Sequence, residues 1–254
     1  MIHPTAIIDP GARLADDVDV GPYSVIGPDV EIGPGCVIGP HVVLQGPMRM
    51  GARNRVFQFA SVGEECQDKK YAGEPTWLII GDDNVIRECV TLQRGTVQDK
   101  GETRIGSRGL FMAYSHVAHD CVVGDDVILA NSTQLAGHVQ VADKAILGGG
   151  TLVHQFCQIG THAMTGAGTV LFKDIPAFVM AQGNPAKPYA MNSEGLRRHQ
   201  YPEASLRALK QAYRLVFRQG LTLEAAIARL QQDSDPSVQT FVESLRRSQR
   251  GILR

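Results

Sequence analysis

The run Ser115-His116-Val117-Ala118-His119-Asp120-Cys121 sets two imidazoles and a carboxylate close together. Counted in sixes, the chain around it reads Val117-Ala118-His119-Asp120-Cys121-Val122, then blocks opening at Val123, Leu129 and Leu135. A six-residue period belongs to a parallel β-helix, in which three blocks make one triangular coil of about 18 residues. Residues about 18 apart then stack roughly 4.8 Å from one another. On that spacing His119, Gly137 and Gln155 share a column, Asp120 lies under His138, and Ala136 lies under His154. An imidazole is suited to taking a proton near neutral pH, and the convergence of these groups on one edge marks a candidate site. Singly, each residue also has a plain structural reading: His119 as a hydrogen-bonded surface group, Asp120 and Gly137 as turn residues. His3, His41 and His162 lack such company and read as structural.

The elements that must position this column start at the N-terminus. Aliphatic openers recur without a slip at Ile2, Ile8, Leu14, Val20, Ile26, Ile32, Ile38, Leu44, Met50, Val56 and Val62. Gly21, Gly27, Gly33, Gly39 and Gly51, at the second position, read as turn residues of unusual φ/ψ. Prolines at the third position (Pro10, Pro22, Pro28, Pro34, Pro40) suit corners. The phase breaks in two polar excursions, near residues 64–79 and 94–104, then holds from Ile105 to about Ala177. Past Gly183-Asn184-Pro185 the spacing turns helical, with Leu206, Leu209, Tyr213, Val216 and Phe217 on one face. Thr222 reads as a helix cap before Ala226, Ile227 and Leu230. Asp235-Pro236 reads as a cap and first helical residue before Val238, Phe241 and Leu245. The expected organisation is an all-β solenoid over residues 1–187 and a small helical domain over residues 188–254.

Composition agrees with a repeat fold, since only 6% of residues are aromatic while 27 are glycine. No segment approaches 18 uninterrupted apolar residues and no basic, apolar leader opens the chain, so a soluble cytoplasmic protein is expected. Cys36, Cys121 and Cys157 fall on the inward fifth position and read as core residues; no cysteine pair has zinc-like spacing. Residues 190–254 carry 11 Lys/Arg against 6 Asp/Glu, whereas residues 1–189 carry 14 against 20. That basic tail is either a set of solvated helix faces or a landing surface for an acidic partner, with phosphate contacts from Arg197 and Arg198. Interleaved aromatics are too few for nucleic acid to be the expected partner.

Several motifs in order, Tyr71-Ala72-Gly73-Glu74-Pro75-Thr76, Arg94-Gly95-Thr96-Val97-Gln98, His119-Asp120-Cys121, Leu135-Ala136-Gly137-His138, Val153-His154-Gln155-Phe156, Ala181-Gln182-Gly183-Asn184 and Asn192-Ser193-Glu194-Gly195-Leu196, carry a resemblance. The chain resembles the UDP-N-acetylglucosamine acyltransferase family over nearly its whole length. The resemblance implies a left-handed coil, an exception to the right-handed crossover rule. It implies a homotrimer with sites in clefts between subunits. The implied activity is transfer of an R-3-hydroxyacyl group from acyl carrier protein to the glucosamine 3-hydroxyl of UDP-N-acetylglucosamine, the first step of lipid A biosynthesis. No metal or other cofactor is implied; the donor acyl group rides on the phosphopantetheine of acyl carrier protein. His119 matches the general base, Asp120 its orienting carboxylate and Gly137 the backbone donor to the oxyanion. His116, His138, His154 and Gln155 match residues around the sugar and acyl chain, and Asp68 and Lys70 match substrate contacts. Asn192, Glu194 and Arg198 match residues that hold the uridine diphosphate from a neighbouring subunit. His199 stands where a second Arg is usual, Gln93 where His often precedes Arg-Gly-Thr, and Trp77 where Arg often follows Glu-Pro-Thr. Ala167 matches the floor of the acyl groove, which sets chain length.

The implied chemistry suits these residue types. A sugar hydroxyl needs a base, a tetrahedral oxyanion needs a donor, and the two substrates need to be held together. A thioester donor makes a covalent acyl-enzyme unnecessary, in keeping with the lack of a Gly-x-Ser-x-Gly elbow. Three rivals remain at this stage. One is another hexapeptide-repeat acyltransferase, and one is a non-catalytic solenoid that binds acyl carrier protein. The third is a zinc enzyme resembling γ-class carbonic anhydrase, with His116, His119 and His138 as ligands.

Overall fold

The computed structural model describes residues 1–254. Most strands are two residues long, such as Ile7–Ile8, Arg13–Leu14 and Asp19–Val20, and each turns a corner into the next. As far as Val170–Leu171, every third strand is hydrogen-bonded in parallel, which gives a prism with three faces. The first face has nine strands, from Ile7–Ile8 to Val170–Leu171; the second has eight, from Arg13–Leu14 to Gln158–Ile159. The third has ten and begins at Asp19–Val20. Ladders run in the expected register, as in Val117 to Leu135 to Val153 to Leu171. The openers from Val20 to Val62 point inward and are buried, so the sixfold period is the period of the core.

The second-position glycines serve close approach, not unusual φ/ψ. A Cβ on Gly33 would stand 2.8 Å from Gly51 C and O, and one on Gly21 2.7 Å from Pro40 N. Positive φ occurs two residues later, at Tyr23, Asp29, Gly35, His41 and Arg53, where the chain bends round the corner. Corner residues therefore pay a backbone cost, of order 1–2 kcal/mol for a non-glycine residue. Stacked-coil hydrogen bonds, such as His41 N–H to Pro22 O at 3.0 Å, offset it.

Both excursions rejoin the prism earlier than expected. Trp77–Ile80 and Glu102–Ile105 are strands of the second face, paired with each other from Trp77 to Glu102 onward. Residues 77–79 and 102–104 are thus ladder, because the backbone of a new coil must pair as soon as it reaches the sheet. Cys36, Cys121 and Cys157 are fully buried and all five cysteines are free. Burial pushes the Cys121 and Cys157 thiols up to about 12, so they act as apolar filling.

The expected boundary at residues 187 and 188 falls inside a strand, Lys187–Met191, paired antiparallel with Val179–Gln182 on the third face. The helices follow: α1 Ser193–Arg198, α2 Glu203–Phe217, α3 Leu223–Leu230 and α4 Pro236–Arg247. Thr222 and Asp235 cap α3 and α4 as the sequence indicates. Leu206, Leu209, Tyr213, Val216, Val238, Phe241 and Leu245 are buried together. The chain end returns to the last coil, where the buried Asp174 carboxylate accepts from Ser248 Oγ at 2.7 Å and Gln249 N–H at 3.1 Å. No helix is long and apolar enough to cross a membrane.

Candidate active site

The edge between the first and second faces gathers His119, Asp120, Gly137 and His138. Asp120 and His138 both take positive φ, 58° and 63°, and Phe156 continues that column at 65°. Asp120 Oδ2 lies 2.8 Å from His119 Nδ1, an ion-pair or hydrogen-bond contact whose partner leaves His119 Nε2 free. Asp120 is 4% exposed, and burial alone would raise its carboxyl. Hydrogen bonds from His119 and Thr96 overcome that and hold it below the usual carboxylate range. His138 stacks on Phe156 at 4.4 Å and meets the His119 ring edge-on at 5.1 Å. Its Nδ1 reaches Asp99 Oδ2 at 3.2 Å, and its Nε2 stands 3.8 Å from Asp120 Oδ2.

Gly137 packs against the His119 ring, and its N–H meets no acceptor within the chain. The glycine is thus required by close approach rather than by φ. An unengaged N–H beside a base is the arrangement an oxyanion needs.

His116 and His154 lie on the outer side of the first face. They border an apolar groove of about 510 Å³ with Gln134, Leu152, Val170 and Phe172. His116 Nδ1 contacts Thr91 Oγ1 at 2.7 Å; burial, with nearby His119, pushes its imidazole below the ordinary range. Gln155 is exposed at the His119 edge, where its carbonyl contacts His154 Nδ1 at 3.2 Å. Ala167 sits exposed on the edge between the third and first faces, at the far side of that same face from His119. It is not an inward-pointing residue.

In the first excursion Asp68 Oδ1 accepts from Lys70 N–H at 3.0 Å, and Lys70 is exposed. Tyr71 holds this loop to the second excursion, accepting from Arg94 Nη2 at 3.1 Å and donating to Glu74 O at 2.8 Å.

The tail residues are not brought to His119 within one chain. Asn192 is fixed at the edge between the second and third faces, donating from Nδ2 to His162 O at 3.0 Å. Its Oδ1 caps α1 by accepting from Gly195 N–H at 3.1 Å, so this 4%-exposed side chain braces the last coil and the helix together. Glu194 and Arg198 pair along α1 at 3.4 Å and are exposed. His199 ends α1 and stands edge-on to His162 at 4.8 Å.

The sequence reading missed Thr96, Asp99, Thr103 and Phe156 as parts of the site. Thr96 stood in view within Arg94-Gly95-Thr96, but an excursion has no period to tell which column it meets.

Comparisons with known proteins bear on this arrangement. A family model described as Udp N-acetylglucosamine O-acyltransferase; Domain 2 matches residues 174–253. One described as Bacterial transferase hexapeptide (six repeats) matches residues 11–46. A protein of Stutzerimonas stutzeri named acyl-[acyl-carrier-protein]–UDP-N-acetylglucosamine O-acyltransferase is 57% identical, over 100% of this chain and 99% of its own. The crystal structure of UDP-N-acetylglucosamine O-acyltransferase from Moraxella catarrhalis matches with a TM-score of 0.98 at 47% identity, covering 100% of this chain and 99% of that one. That of Francisella novicida UDP-N-acetylglucosamine acyltransferase matches at 0.98 and 36%, covering 100% and 94%. The coil has the left hand that the resemblance implied.

Proposed function

The chain belongs to the UDP-N-acetylglucosamine O-acyltransferase family, and from that membership we propose that His119 is the general base in a direct attack on an acyl thioester. The enzyme transfers an acyl group from acyl carrier protein to UDP-N-acetylglucosamine, in lipid A biosynthesis. The group moved is R-3-hydroxyacyl, and the acceptor is the glucosamine 3-hydroxyl. His119 Nε2 takes the hydroxyl proton as the oxygen attacks the thioester carbonyl. Asp120 fixes the tautomer and stabilises the imidazolium that forms. The Gly137 N–H donates to the tetrahedral oxyanion. Collapse expels the pantetheine thiolate, which takes the proton from His119, so no acyl-enzyme is needed.

The observation that carries this reading is the buried Asp120–His119 contact with the unengaged Gly137 N–H beside the ring. The apolar groove with His116 and His154 at its border suits an acyl chain, with Gln155 and His138 toward the sugar. Asp68 and Lys70 reach substrate from the first excursion. Glu194, Arg198 and His199 lie on another edge, so they serve the site of a neighbouring copy in a homotrimer, and Asn192 acts by setting α1. The enzyme works in the cytoplasm without a resident cofactor.

A zinc reading draws on one observation: ligand atoms of His119, Asp120 and His138 lie within 4.8 Å of one another. His116, the third ligand that reading needs, is not part of that cluster. The test is a panel of acyl-carrier-protein thioesters with UDP-N-acetylglucosamine, products read by mass spectrometry, with and without chelator. His119→Ala is expected to lower turnover at least ~100-fold with folding intact, and Asp120→Asn to be milder. Near-normal turnover in His119→Ala removes the base assignment, and loss of activity with stoichiometric zinc favours the metal enzyme.

A further inference from the structure

Asp120 is held by more than His119. Its Oδ1 accepts from Thr96 N–H at 2.8 Å, and its Oδ2 from Thr96 Oγ1 at 2.7 Å. Its own N–H donates to Thr103 Oγ1 at 2.8 Å, which fixes the strained corner backbone. Thr96 and Thr103 are buried, 2% and 0% exposed. Of the three donors to this carboxylate, two therefore come from Thr96, a residue outside the repeat.

The loop around Thr96 is built to stay put. Thr96 O accepts from Gly101 N–H at 3.0 Å, closing the excursion on itself. Gly95 N–H donates to Trp77 O at 3.1 Å, and a Cβ on Gly95 would lie 2.3 Å from Glu102 N. Arg94, 6% exposed, ties the neck of the loop to Gly46 O and to Tyr71. The same loop supplies Asp99 to His138. A solenoid coil has no need of this excursion for stacking, yet the loop meets Asp120 beside the His119 ring and the His138 ring itself.

The geometry points to Thr96 as a positioning residue for acyl transfer: its N–H and hydroxyl orient Asp120 so that His119 keeps its proton on Nδ1 and offers Nε2 to the acceptor hydroxyl. This rests on the base assignment of His119. The hydroxyl shares Oδ2 with His119, so it also tempers the negative charge that the imidazolium meets. Removing it leaves more charge facing His119 and raises the basicity of the ring. The role is orientation, not contact with substrate.

The test compares Thr96→Val with Thr96→Ser in the intact enzyme. Thr96→Val removes the hydroxyl at nearly constant volume. It is expected to lower kcat about tenfold or more, the loss of one hydrogen bond to a charged group, with KM for both substrates unchanged. The acid limb of the kcat/KM profile should move to higher pH, and Thr96→Ser should restore both rate and limb. In an Asp120→Ala background, Thr96→Val should cost nothing further, because its route to the base is already gone. A Thr96→Val enzyme with wild-type kcat and pH profile overturns the proposal. So does a Thr96→Ser enzyme as slow as Thr96→Val, or a full additional loss in the Asp120→Ala background. If His119→Ala stays active, the base assignment itself fails, and this role with it; if only Thr96 proves neutral, the base assignment stands.

Discussion

Gly137 lies so close to the His119 ring that a Cβ there would stand 2.5 Å from His119 Cε1 and 2.6 Å from Nε2. That side of the imidazole is thus bounded by bare backbone. The same absence of a side chain that admits the ring leaves the Gly137 N–H open beside it.

Gly137→Ala should therefore displace the imidazole rather than merely stiffen a turn. A misplacement of about 1 Å costs on the order of 100-fold in rate, so kcat should fall by about that much. The thermal midpoint should fall as well, and that part should vanish when His119→Ala is added, because the clash is gone. Steady-state kinetics and melting curves check both. An unaltered kcat would mean that the ring has room the contacts deny.

Mixed trimers test whether tail and base act across copies. His119→Ala and Arg198→Ala should each be nearly inactive alone. Refolded together at equal amounts, roughly a quarter of sites should combine an intact His119 with a neighbour's intact Arg198, given a cyclic trimer. Recovery of activity on mixing is the expected result. If mixing restores nothing, each site draws both residues from one chain.

His162 makes the fold sensitive to mild acid. It is 3% exposed, and burial, then His199 and Lys144, push it down to about 4, with Asp143 opposing. Well above pH 6.5 it is neutral in both folded and unfolded chains. As pH falls from 6.5 toward 4 the unfolded chain takes up a proton that the folded one refuses, so stability falls over that window. The full loss would be up to about 3 kcal/mol. Melting midpoints of wild type and His162→Phe across pH 4.5–7 check this. The variant should keep the Phe178 stacking partner and show a flatter profile.

Ala167 should bear on acyl length if a neighbouring copy closes the groove over it, since it is exposed on a single chain. Its methyl adds little to a glycine floor, so an intermediate chain is expected. Ala167→Gly should favour a chain about one methylene longer, by about fourfold at ~0.8 kcal/mol per buried methylene. Ala167→Met should shorten the preferred chain, with overpacking of about 1–3 kcal/mol against the longer ones. The thioester panel reads this directly. If neither substitution moves the preferred length, other groove residues set it.

What the sequence determined by itself follows from repetition and local rules. A six-residue period places Val117, Leu135 and Val153 in one ladder, and so puts His119 under Gly137 and Asp120 under His138. Caps such as Thr222 and Asp235 are local hydrogen bonds and are legible as such. Tertiary structure decided the rest. The period says nothing of hand, since the same spacing fits either coil; the left hand came by resemblance. It also falls silent in the excursions, so that Thr96 meets Asp120, and Asp99 meets His138, only because loop closure and docking bring them there. Asn192 matches a substrate contact only by resemblance; that its amide also serves as a cap and a brace follows from the hairpin of Val179–Gln182 with Lys187–Met191, which carries it to His162. Its partners there are 30 residues back and three residues ahead, and only the fold could bring both within hydrogen-bonding distance of one side chain.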